Sequence, residues 1–85
     1  GFKAMATDAG PALVASGATA DATYQFMGDE HGGLRFAAGA ARPEVGDLVR
    51  LVAPHCDPTV NLHDCLHVMQ GGRLIDVWPI DARGY

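Results

Sequence analysis

Apolar residues along this chain come in short runs that end at glycine, proline or aspartate, a pattern of strands and turns rather than long helices. Phe2 to Ala6 is the first run, bounded by Thr7-Asp8-Ala9-Gly10-Pro11, and it predicts an opening strand. Ala12 to Ser16 is a second apolar piece, too brief to assign. Ala18-Thr19-Ala20-Asp21-Ala22 has the propensity for a helical turn, but the β-formers Thr23-Tyr24-Gln25-Phe26-Met27 favour a strand after it. Gly28-Asp29-Glu30-His31-Gly32-Gly33 breaks that strand, and the alternation in Leu34-Arg35-Phe36-Ala37 supplies the second arm of a hairpin. Residues 38–45 read as a connection and Gly46-Asp47 as a turn. Asp47-Leu48-Val49-Arg50-Leu51-Val52 is then a strand that delivers the chain to Pro54. Thr59-Val60-Asn61-Leu62 suits a helical turn or extended chain equally. His67-Val68-Met69-Gln70 and Arg73 to Ile80 flank Gly71-Gly72, a hairpin signal. Six or seven short strands with no long 3.6-residue period predict an all-β fold, a small barrel or sandwich.

Composition narrows the classes of partner. Eighty-five residues make a single domain, 1–85, with a small core; 48% apolar and 19% charged residues fit a globular chain. The formal charge of -4, with six scattered Lys and Arg against ten carboxylates, argues against nucleic acid. No apolar run approaches the roughly 20 residues that span a bilayer, and no signal-peptide pattern is present, so the expected location is cytoplasmic and off the membrane. Cys56 and Cys65 read as free thiols. Gly1-Phe2-Lys3-Ala4-Met5-Ala6 opens within a β-like segment without an initiator Met, which leads to the expectation that the chain is one piece of a longer polypeptide or a cleavage product.

Chemistry-bearing side chains concentrate in Pro54-His55-Cys56-Asp57-Pro58-Thr59-Val60-Asn61-Leu62-His63-Asp64. If the chain stays extended from Pro54 to Pro58, His55 and Asp57 share one face while Cys56 turns away, and Pro58 disfavours the helical region for Asp57. An imidazole and a carboxylate together supply half of the ligands of a divalent ion. The alternative is a loop in which Asp57 caps a turn and His55 is solvated. A rival metal set, His63, Cys65 and His67, alternates along one strand face; the same residues also fit two surface histidines and a small core cysteine. Asp29-Glu30-His31 could position or deprotonate a substrate group, or form the polar tip of a hairpin. Gly71-Gly72 precedes no helix and so cradles no phosphate. No Gly-x-Ser-x-Gly elbow or P-loop occurs, and nothing around Lys3, the only lysine, activates it as a nucleophile.

Four ordered motifs carry a resemblance that runs the length of the chain: Gly1-Phe2-Lys3-Ala4-x-x-x-Asp8-x-Gly10-Pro11, Gly28-Asp29-Glu30-His31-Gly32, the His55 segment above, and Asp76-Val77-Trp78-Pro79-Ile80-x-Ala82-Arg83-Gly84. Together they resemble the C-terminal β domain of D-threonine aldolases and the related D-serine dehydratases, of the alanine-racemase-like type. The resemblance implies a pyridoxal-phosphate (PLP) enzyme that works as a homodimer. An N-terminal α/β barrel, absent from this chain, would carry the cofactor and its Schiff-base lysine. The family's metal ligands map to His55 and Asp57. A carboxylate in place of the thiolate typical of the dehydratases shifts preference from Zn²⁺ toward Mn²⁺ or Mg²⁺ and favours the aldolase branch.

The implied reaction cleaves a D-β-hydroxy-α-amino acid to glycine and an aldehyde. The metal would lower the pKa of the β-hydroxyl and the pyridoxal ring would accept the electrons. Asp29 would lie near the substrate entrance of the partner subunit. Without a barrel this chain alone is expected to be inactive. The readings that remain beside the aldolase are D-serine dehydration to pyruvate and ammonia, and a non-catalytic metal-binding or interaction module.

Overall fold

The computed structural model describes residues 1–84. Six strands and one short helix follow in order: β1 (Leu13–Ser16), β2 (Thr23–Phe26), β3 (Gly32–Arg35), β4 (Arg50–Val52), α1 (Cys56–Val60), β5 (Cys65–Gln70) and β6 (Arg73–Pro79). The strands pair as three two-stranded sheets, β1 with β4, β2 with β3 and β5 with β6, all antiparallel. The chain is therefore all-β, and the described residues close no barrel. The brief apolar piece after Pro11 is a strand because a distant partner completes it: Leu13 faces Val52 and Val14 faces Leu51, with a bulge before Ser16.

In the β2–β3 hairpin the turn is shorter than the glycine run suggests. Met27 donates its N–H to the His31 carbonyl, and Gly32 and Gly33 are already strand residues opposite Phe26 and Gln25. These two glycines make room for neighbours, since a Cβ at Gly32 would run into the Tyr24 ring and one at Gly33 into the Met27 sulfur. Gly71 and Gly72 do form the predicted turn between β5 and β6. Their φ values of 56° and 78° are both left-handed, as a two-residue hairpin turn of the primed type requires.

The opening strand expected over residues 2–6 is absent, and turns replace it. Its first two N–H groups, on Phe2 and Lys3, donate to the carbonyls of Gly28 and Asp29, and the Ala4 N–H closes back on Gly1. Among the described residues no strand lies alongside to receive a ladder. Residues 1–8 instead form a strap across the molecule. The Phe2 ring stacks on Phe26 with centroids 5.4 Å apart, and Tyr24 meets Phe26 edge-on at 5.2 Å.

Burial is sparse: among the described residues only Ala12, Ala22 and Tyr24 are buried apolar residues. All seven residues of β6 are exposed, and the β5–β6 ribbon packs against no other strand among the described residues. Leu66, Met69, Leu74, Ile75, Val77 and Trp78 leave a large apolar surface on it. A two-stranded ribbon is marginal on its own in water, and this one keeps its apolar side chains exposed.

Because the Tyr24 ring fills the space over Gly32, Gly32→Ala is expected to destabilise the fold by about 1–3 kcal/mol through overpacking. Urea unfolding measures this; an unchanged midpoint would show that Tyr24 does not anchor the core.

Candidate functional site

The His55 segment folds differently from the extended chain expected for it. His55 is the N-cap of α1, with φ -143° and ψ 115°, and Cys56, Asp57 and Pro58 are helical. Pro58 is accommodated because the amides of a first helical turn have no intrahelical acceptor, so the missing N–H costs nothing there. Asp57 adopts the helical conformation despite the proline that follows, and its carbonyl accepts the Asn61 N–H. The alternation argument for bringing His55 and Asp57 to one face therefore fails. What remains is that an N-cap and an N2 side chain leave the same helix end.

His55 does not cap the helix with its ring. Its Nδ1 instead meets Asp8 Oδ2 at 2.5 Å, across 47 positions of sequence, with both side chains about half exposed. That hydrogen bond holds the Asp8 carboxyl below the usual carboxylate range, the positive charge of a protonated ring adding to it. Asp57 is exposed, and its carboxylate makes no hydrogen bond or ion pair among the described residues.

Two further bonds tie the strap to this end of the molecule, and a third joins one of their partners to the helix start. The Ala6 N–H donates to Thr59 Oγ1 at 3.0 Å, and the Thr59 hydroxyl donates to the His55 carbonyl at 2.7 Å. His63 Nε2 lies 2.8 Å from the Ala4 carbonyl, which can only accept, so that nitrogen carries the proton. At its other end the strap holds the 28–31 turn through the two backbone bonds already described and a Lys3 Nζ–Glu30 Oε1 pair at 3.2 Å. Asp29 thus sits exposed on a turn carried by the same strap that carries Asp8.

The rival set does not assemble. His63 lies in the turn before β5 and is bonded to the strap, whereas Cys65 and His67 are on β5. They line one largely apolar open depression of about 560 Å³ with Thr59, Val60 and Leu66. Among the described residues no three His, Cys, Asp or Glu side chains gather to hold a metal. Both cysteines are free thiols, as expected. Asp8 and Thr59 are the residues that the sequence reading missed as parts of the site. Asp8 stands in one of the quoted motifs, but its partner is too distant in sequence for any spacing rule to find.

A divalent ion suits the donors present: a half-exposed imidazole whose other nitrogen is held by a carboxylate, and a free carboxylate at the same helix end. Two donors from this chain leave the remaining positions to water, substrate or another segment. Pyridoxal phosphate does not suit these residues. Lys3 is exposed and paired with Glu30, and the glycine pair at 71–72 is a hairpin turn.

The sequence compares closely with known proteins. It is 41% identical over its full 85 residues to a D-threonine aldolase of an Arthrobacter species, covering 22% of that protein. It is 39% identical over 84 residues to a 3-hydroxy-D-aspartate aldolase of Paracoccus denitrificans, covering 21% of that protein. The chain thus spans about a fifth of the length of these two relatives. An uncharacterised Mycobacterium tuberculosis protein is 34% identical over 65 residues, 76% of this chain and 49% of that protein. No helix among the described residues is long and apolar enough to cross a membrane. Residues 1–69 match the family described as "Putative serine dehydratase domain", and the chain belongs to that family.

Proposed function

We propose that this chain is the metal-binding β domain of a pyridoxal-phosphate-dependent aldolase that cleaves D-β-hydroxy-α-amino acids to glycine and an aldehyde. The observation that carries this reading is the identity to two aldolases of D-configured hydroxy-amino acids over 99% or more of the chain. A second portion, an α/β barrel, would bind PLP and provide its lysine, with the whole enzyme a cytoplasmic homodimer. The uncovered apolar faces of β5 and β6 support the presence of a further body packed on them.

Within this chain the work is binding and orientation. His55 offers Nε2, the ring nitrogen that Asp8 does not occupy, and Asp57 offers its carboxylate. An oxygen-and-imidazole pair favours Mn²⁺ or Mg²⁺. The ion would lower the pKa of the substrate β-hydroxyl and fix its orientation. The strap sets the height of Asp29 at the turn, where it would line the approach to the substrate. The family description gives a second reading, D-serine dehydration, a weaker fit because residue 57 is a carboxylate rather than a thiolate.

In the complete enzyme, Asp57→Ala is expected to abolish activation by added Mn²⁺, a loss of about 100-fold or more given that removing even an outer partner of a ligand costs about 10–100-fold. The cofactor absorbance should stay intact; retained Mn²⁺ dependence would remove Asp57 from the site. His67→Ala should leave bound metal unchanged by elemental analysis, and a loss would return the site to β5. Glycine and an aldehyde should form from D-threonine, whereas pyruvate and ammonia from D-serine as the only products would replace the aldolase reading.

A further inference from the structure

We infer that Asp8 is a positioning residue for the candidate metal site: its carboxylate fixes the tautomer and orientation of the His55 imidazole so that Nε2 presents a lone pair to the ion. This rests on the reading that His55 binds a divalent metal. Its geometry is the 2.5 Å contact between Asp8 Oδ2 and His55 Nδ1. A neutral imidazole has one N–H, and an ionised carboxylate only accepts. The proton of the neutral ring therefore sits on Nδ1, and Nε2 is left unprotonated. The ring is not drawn to the first-turn amides, because His55 makes no side-chain cap bond to the helix it begins.

The carboxylate itself is held in place by a closed circuit of hydrogen bonds. Two residues before Asp8, the Ala6 N–H binds Thr59 Oγ1, and the Thr59 hydroxyl binds the His55 carbonyl. The backbone at Ala6 and the backbone of His55 are thus tied through Thr59, and the Asp8 and His55 side chains complete the loop. A carboxylate behind a ligating histidine raises ligand basicity and restrains the ring, and removing it typically costs about 10–100-fold in metal affinity.

The test uses the 85-residue chain with ¹⁵N-labelled histidine, at a pH where the rings are neutral. The ring-nitrogen signals of His55 should report the Nδ1–H tautomer, and Mn²⁺ should broaden them selectively. In Asp8→Ala, which circular dichroism should show to be folded, the tautomer preference should be lost and Mn²⁺ affinity should fall about 10–100-fold. Asp8→Asn, which retains an oxygen acceptor without the charge, should fall between the two. An Nε2–H tautomer in the unsubstituted chain would overturn the inference without recourse to any variant. Unchanged affinity in Asp8→Ala, with loss in His55→Ala, would also overturn it while leaving the metal site standing. Unchanged affinity in His55→Ala would sink the metal reading itself.

Discussion

The hydrogen bonds along residues 1–8 hold together parts of this small molecule that otherwise have little to bind them. Phe2 and Lys3 donate to the carbonyls of the 28–31 turn, while Ala4, Ala6 and Asp8 engage His63, Thr59 and His55. The close approach is built in at Gly1, where a Cβ would collide with the Asp29–Glu30 peptide. A segment of turns used in this way satisfies its backbone groups by cross-linking the 28–31 turn and the α1 end, and this is why it forms no ladder with a strand. Both segments that carry candidate functional residues depend on it.

Sheet pairing alone cannot give the molecule that coherence. Among the described residues, three two-stranded ribbons with only three buried apolar residues form a thin core, and β5–β6 contacts no other strand. Burial of apolar area is the dominant favourable term in folding, and Leu74, Ile75, Val77 and Trp78 contribute little to it, since each stays exposed.

The candidate site shows how a local rule yields to a longer-range contact. An N-cap side chain ordinarily accepts from the first-turn amides, yet the His55 ring turns away to Asp8. The first-turn amides gain no acceptor from that ring; the Thr59 hydroxyl bonds back to the His55 carbonyl from within the helix. The helix start thereby leaves one imidazole nitrogen and one carboxylate, on Asp57, free to bind.

Turn chemistry and strand propensity were local enough to read from the chain. The all-β class, the hairpin closed by Gly71-Gly72 and the strand at Thr23 followed from residues within a few positions of one another. The same locality explains the failures. Phe2–Ala6 looked like a strand because its composition is strand-like, but its hydrogen-bond acceptors lie in the 28–31 turn and beside α1. Pro58 argued for extended chain, yet a proline in a first helical turn gives up a donor that the helix cannot use. His55 and Asp57 stood out by residue type, and the quoted motifs tied them to a family. The carboxylate that orders His55 lies 47 residues away, and only folding, which ties the strap to Thr59 and the helix start, brings Asp8 to that ring.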